Sequence, residues 1–505
     1  MKIQPVTEEI KISGFKKIAV SQSVVQARLL PQPGESIAKI LSVGAKVKVT
    51  STEVFTGEAR YGGNVRFNVL FVSEDGRSNS IEYVADFSDK IENPAISATL
   101  SPWVDATVLD TEVVSLRNDE IKLACVLEIK LCAVVTSDVN FISSGGEGVY
   151  THIDKVEYSR FITGGKAVIE QQNRIDKLKL KRVLLVENSV VLTSATAERD
   201  FIKVSGVIYS HVTGETDEGL LSSYNIETPF DEEIGAKDAR SGDNVRAVVD
   251  VSAQTREEND QEICLLFDYA LEIRYAVFSV QAVTVVTDVF IPSHELIPTF
   301  SEENIFLQGN AVSICERVDG SVTIQNDMPL VDNIMATTAF NNVITNVIAS
   351  ENEGIIEGVI SGNIIYYSAE TDSKNSIEVE LPYSIKTEID GIDESYSLYA
   401  SGQISGLNLK IRRGNEIDVR AEISLLVQPY KNFKQSFMTA LTVGEERKLP
   451  TCAFSVHIAR EKETLWEVAK ALGVTPELIM EQNPNLQLPL SGGERIAVYR
   501  CLSKD

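Results

Sequence analysis

Four histidines, His152, His211, His294 and His457, are the side chains best suited to acid–base or metal chemistry near neutral pH, and each falls in a different region of the chain. His294-Glu295 opens as a zinc-protease motif would. Pro298 holds the place of the second histidine, and proline breaks the helix that motif needs. His211 sits in an alternating strand pattern, where a hydrogen-bonded structural role is expected. Gly164-Gly165-Lys166 lacks the upstream glycine of a phosphate loop and is followed by Ala167 instead of Ser or Thr. No Gly-x-Ser-x-Gly elbow occurs. The acidic runs Asp231-Glu232-Glu233 and Glu257-Glu258 read as solvated turns. These residues give no catalytic set, no metal site and no cofactor site, so the expectation is a protein that is not an enzyme.

Six cysteines in 505 residues are too few for a disulfide scaffold, and no CxxC pair exists. Cys125 and Cys132 lie seven apart in an alternating strand and must face opposite ways. The formal charge of −26 repels phosphate backbones, which argues against nucleic acid as a partner. The opening residues MKIQPVTEEIKISGFKK lead into no apolar run of signal-peptide length. The most apolar stretch, Ala276 to Ile291, is interrupted by Ser, Gln, Thr and Asp and is too polar to span a bilayer. A soluble protein that stays where it is made is expected.

The elements that must position any site are strands. Ile121, Leu123, Cys125, Leu127, Ile129 and Leu131 alternate with polar residues, as do Ile263, Leu265, Phe267, Tyr269, Leu271, Ile273 and Tyr275. Ile417, Val419, Ala421, Ile423, Leu425 and Val427 form a third such set. Each set is a half-buried antiparallel strand by its pattern. A short aromatic segment precedes each: ADF ending at Phe87, TPF ending at Phe230 and LPY ending at Tyr383, at 34, 33 and 34 residues from the strand starts. Further upstream lie VRFNVLFVSEDG, VSGVIYSHVTGETD and GNIIYYSAETD, each a strand with a polar turn. Three landmarks in one order at one spacing indicate three copies of an all-β domain, placed at 1–140, 170–285 and 325–435. Copies of this size are expected to bury their own cores as beads on a chain. VVTSDVNFIS (Val134 to Ser143) and VVTDVFIPS (Val285 to Ser293) read as strand extensions leading into the next bead.

The period changes in a tail at 452–501. Leu465, Val468, Ala469 and Leu472 are spaced for a helix that starts at a Thr464/Glu467 capping box and stops at Gly473. Thr475-Pro476 starts a second helix, and FSVHI and RIAVY flank the pair. The order is β-α-α-β. Residues 451–505 carry 6 Lys+Arg and 7 Asp+Glu, so nearly all the negative charge lies in the first 450 residues. The fold class is therefore mainly β: three tandem antiparallel sandwich- or barrel-like domains, then a small βααβ module.

The tail resembles a LysM module, on TLW, Val468-Ala469, Asn483-Pro484 and Gly493-Glu494-Arg495-Ile496. The Gly-Asp that precedes the threonine in that family is Lys462-Glu463 here, which adds a side chain where backbone approaches closely. The β copies resemble the SPOCS domain of spore-coat proteins, best in the first copy over ESIAKILSVGAKVKVTSTEVFTGEARYGGNVRFNVLFVSEDG. Three such domains and one LysM module is the layout of SipL-like proteins of endospore-forming bacteria. That resemblance implies a structural adaptor at the forespore surface in the mother-cell cytoplasm, which recruits a spore coat morphogenetic ATPase through its LysM module. It also implies where contact falls: the loop Arg460, Glu461, Lys462, Glu463, Thr464 and Leu465, and the turn Asn483, Pro484, Asn485 and Leu486, which flank the family's groove. The alternative is a glycan-binding protein whose tail holds N-acetylglucosamine-containing peptidoglycan or chitin-type glycan in that groove. The mixed charges of Arg460, Glu461, Lys462 and Glu463 suit a protein contact better than an apolar sugar-stacking cleft. Cys452 and Cys501 bracket the tail's strands and are expected as free thiols in a reducing compartment, bridged only on oxidation.

Overall fold

The computed structural model describes residues 3–33, 35–117, 119–259, 263–325, 328–413, 415–447 and 454–499. Among these residues the chain is mainly β, built of antiparallel sheets, with two short helices near the C-terminal end. The expected thiols Cys452 and Cys501 lie outside the described residues.

The same six-strand plan occurs three times. In the first copy, β1 (Val6–Leu29), β6 (Glu120–Ser144) and β5 (Pro102–Arg117) form one sheet with β6 central. A second sheet holds β2 (Ile37–Phe55), β3 (Glu58–Ser73) and β4 (Ser78–Glu92), with β3 central. The second copy repeats this as β7 (Tyr150–Leu178), β12 (Ile263–Phe290) and β11 (Asn244–Asn259) beside β8 (Arg182–Glu198), β9 (Phe201–Glu215) and β10 (Leu221–Gly235). In the third, the first strand is split into β13 (His294–Gln308) and β14 (Val312–Thr323). Both pieces pair with β19 (Glu416–Glu446), which also pairs with β18 (Tyr396–Arg412). The other sheet is β15 (Asn333–Ser350), β16 (Glu353–Ser368) and β17 (Ser373–Glu388).

Alternation places the cores. Every residue of the three alternating sets is buried, and in each copy they meet the inward residues of the second sheet in one apolar cluster. The aromatic landmarks have a local cause. Phe87, Phe230 and Tyr383 each lie directly across the ladder from a glycine, Gly63, Gly206 and Gly358. A side chain on any of these glycines would run into the facing aromatic ring or a neighbouring backbone oxygen. The ring covers the gap that a strand glycine leaves, and only glycine lets it lie there.

The segments expected as extensions into the next bead do extend β6 and β12, but they fold back onto their own copy. Val134–Ser143 pairs with β1, and Val285–Phe290 pairs with β7. The first strand bends where it leaves the core, at a bulge between Lys17 and Ala19 and again between Phe161 and Thr163. The equivalent point in the third copy is the break at Gly309, packed against Pro429. The second copy therefore begins at Tyr150, ahead of the expected boundary at 170. The third begins at His294, ahead of 325.

The expectation of beads on a chain does not hold. The three extended ribbons share a core of their own: Ile12, Val139 and Phe141 from the first, Val156, Tyr158 and Val285 from the second, Ile305 and Phe437 from the third. The second sheets meet in another cluster through Leu41 and Leu70, Leu221, and Met335 and Ile365. Arg246 of the second copy lies between the Phe15 ring of the first and the Tyr399 ring of the third, 3.9 Å from each centroid. Its neighbour in the same sheet, Arg274, pairs with Asp105 of the first copy at 3.0 Å. Each ribbon is too narrow to bury its inward residues alone.

Arg246→Ala should remove two desolvated cation–π contacts, each worth up to about 2 kcal/mol. Thermal unfolding should shift down clearly. Arg256→Ala, which removes an exposed pair with Asp268, should stay within about 0.5 kcal/mol of the wild type. Gly206→Ala should also destabilise, by about 1–3 kcal/mol, because the added methyl overpacks against Phe230 and Val191.

Candidate functional site

The tail contains β20 (Phe454–Ile458), α1 (Leu465–Leu472), α2 (Pro476–Gln482) and β21 (Arg495–Tyr499), with the two strands paired antiparallel. Val468, Ala469, Leu472, Ile479, Ile496 and Val498 form its core. Thr464 caps α1: its hydroxyl accepts from the Glu467 amide, and Glu467 accepts from the Thr464 amide at 2.7 Å. Gly473 closes the helix in the left-handed region.

The loop Arg460–Leu465 is held from within. Glu463 accepts from the Arg460 amide at 2.8 Å and from His457 Nε2 at 2.9 Å. Those two contacts, the backbone one first, keep its carboxyl below the ordinary carboxylate range. Lys462 adopts φ 63°, in the left-handed region that favours glycine. Arg460, Glu461 and Lys462 are exposed, and the loop packs beside Gly492. The turn after α2 is held by Asn483, which donates to the carbonyls of Ile479 and Ala497 and accepts from the Ala497 amide at 2.9 Å. Pro484 and Asn485 are exposed, whereas Leu486 leans on the tail's core. No hydrogen bond or ion pair joins loop to turn among the described residues. Of the ten expected site residues, Glu463, Thr464 and Asn483 spend their polar groups on the module's own backbone. Arg460, Glu461, Lys462 and Asn485 present theirs outward.

The tail is attached to the second copy through the end of β12. Asp288, at the end of β12, accepts from Trp466 Nε1 at 2.8 Å and from Lys470 Nζ at 2.6 Å. Trp466 also packs on Phe290 and beside His152, with ring centroids 5.0 and 5.3 Å away. Arg447 donates to the Lys470 carbonyl. Burial pushes the Asp288 carboxyl up, but the contacts from Lys470 and Trp466 outweigh it and hold the pKa below the ordinary value. The one signal of this attachment in the sequence was Asp288 itself, an acidic break in an apolar strand.

The remaining chemistry-bearing residues have structural partners. His211 bridges Asn225 and the Thr337 carbonyl of the third copy. His294 lies in a strand, and Lys166 pairs with Glu272 at 2.7 Å within the β7–β12 ladder. Cys125 and Cys132 are buried in different clusters, and burial pushes both thiols up to about 11. No group of three or more His, Cys, Asp or Glu side chains that could hold a metal ion occurs among the described residues. No helix among them is long and apolar enough to cross a membrane.

A cavity of about 510 Å³ lies where the three copies meet, lined by β2, β8 and β15 together with β5, β11 and β18. Its charged and amide groups bond to strand edges across the junctions. Lys46 donates to the carbonyls of Asn188 and Val251, Glu187 accepts from the Ala339 amide, and Asn341 donates to the Val108 carbonyl. Burial lowers the Lys46 pKa to about 8 and raises that of Glu187.

Residues 36–115, which hold β2, β3, β4 and nearly all of β5, match the family model described as SipL, SPOCS domain. The match supports kinship of the first copy with that family. Comparison with curated proteins and with solved structures finds no match.

Asp288→Ala should free the tail from the body. Trp466 emission should shift to the red. Acid should do the same to the wild type. A carboxyl whose pKa is depressed by folding stabilises the contact above its unfolded pKa, near 4. That contribution is lost as pH falls through the lower folded value.

Proposed function

We propose that the chain is a non-enzymatic adaptor in spore coat assembly. Its three SPOCS-like copies, each a two-sheet sandwich, form a platform at the forespore surface in the mother-cell cytoplasm. Its LysM-like tail docks a coat morphogenetic ATPase. The match of residues 36–115 to the SipL, SPOCS domain family supports the sporulation role. The observation that carries the adaptor reading is the seat of the tail. Trp466, Lys470 and Asp288 hold it against the second copy, so it is presented in one orientation with Arg460–Lys462 outward. A fixed, polar, mixed-charge loop suits recognition of a folded protein, where charge selects the partner and speeds encounter. A sugar groove asks for an exposed aromatic platform, and Trp466 is committed to Phe290 and Asp288.

Titrating the full chain with the purified coat ATPase tests this. The wild type should bind, and Lys462→Glu should weaken binding severalfold while leaving the melting temperature unchanged. Chitin oligomers should neither bind nor compete. Binding of chitin oligomers together with no affinity for the ATPase would replace the adaptor with the glycan-binding alternative.

A further inference from the structure

The tail's first strand turns its apolar residues outward. Phe454, Val456 and Ile458 are 49, 50 and 62% exposed, and Tyr499 of β21 is 58% exposed. Between them Ser455 and His457 face inward, half-buried, and the Ser455 hydroxyl has no hydrogen-bond partner. A strand with one solvated face normally carries the reverse pattern. Phe454 and Tyr499 are paired in register with ring centroids 4.9 Å apart, so the outward side chains form one apolar strip. Arg495, opposite Ile458, is the single charged residue on that face among the described residues. The helices pack on the opposite side through Ile496 and Val498, and the contact with Asp288 is made by α1. Among the described residues, none that holds the tail in place covers the strip.

We infer that this strip seats an amphipathic helix of a partner protein, with a carboxylate at the end that meets Arg495. The inference rests on the adaptor reading and gives its docking site an apolar centre. Dimensions select a helix. Two strands about 4.8 Å apart present a strip about 10 Å wide, and five residues at about 3.3 Å each make it about 17 Å long. An α-helix is about 10–12 Å across and rises about 5.4 Å per turn, so three turns cover it. A second copy of the chain fits poorly, because pairing two such faces would bring together two chains of formal charge −26. A partner helix with an acidic end meets the least repulsion here, because residues 451–505 are nearly neutral.

The test is a titration of the full-length double variant Val456→Lys/Ile458→Lys with the purified coat ATPase, beside the wild type and Lys462→Glu. Both replaced side chains are exposed, so the melting temperature should hold. Val456→Ser/Ile458→Ser serves if the lysines disturb the fold. The expected result is a loss of affinity of at least tenfold for the face variants, a smaller loss for Arg495→Glu, and monomeric wild type by light scattering. Unchanged affinity of the face variants overturns the inference and leaves the adaptor reading standing. A wild type that does not bind the ATPase overturns both. A wild-type dimer that dissociates in the face variants assigns the strip to a second copy and also overturns it.

Discussion

Arg246 is the constraint around which the body is arranged. A guanidinium only 3% exposed, held between rings from two other copies, must have both rings in place or stand as an uncompensated buried charge. Phe15 comes from the bend of β1 and Tyr399 from the edge strand β18, so one side chain registers all three copies at once. Around it, Gln428 of the third copy donates to the Val245 carbonyl, and Asn244 of the second donates to the Gln308 carbonyl. The cation is thus boxed in by backbone bonds that depend on the same register.

The same logic runs round the central cavity. Each copy has two free strand edges there, and a bare edge invites pairing with another chain. The first copy caps edges of the second with Lys46, the second caps the third with Glu187 and His211, and the third caps the first with Asn341. Each contact points to the next copy in the same sense, so the ring closes. Closed head-to-tail association of like units is how a homotrimer forms, here accomplished within one chain. The residues that do the capping differ from copy to copy. That is why the shifted ionisations of Lys46 and Glu187 read as consequences of sealing a junction.

The inward faces of β6, β12 and β19 were legible from the sequence because a period of two has one physical cause, a sheet with one buried side. The capping box of α1 was legible because its chemistry is local. What joins one copy to another was not legible. Arg246, Lys46 and Asp288 act on residues far away along the chain, and a single charged residue in a strand carries no mark of its distant partner. The glycine–aromatic pairs show the intermediate case. The aromatics stood out as landmarks, but Gly63, Gly206 and Gly358 gained meaning only once the register set each against its ring. In the tail, the loop and turn were visible from sequence, whereas the inward commitment of Glu463 and Asn483 required the geometry.

The shared core of the ribbons bears on how the protein comes off the ribosome. Ile12 and Phe141 are made early, Val156 and Val285 later, and Phe437 close to the end of the body. At typical elongation rates of about 5–20 residues per second, the first ribbon waits on the order of tens of seconds for the third. Through that interval its inner face is apolar and bare, at the stage when a nascent chain is most prone to pair with a neighbour on the same polysome. The strongly acidic composition of the first 450 residues then acts in time as well as in space. Like charge keeps adjacent nascent chains apart until the last strand arrives to close the core.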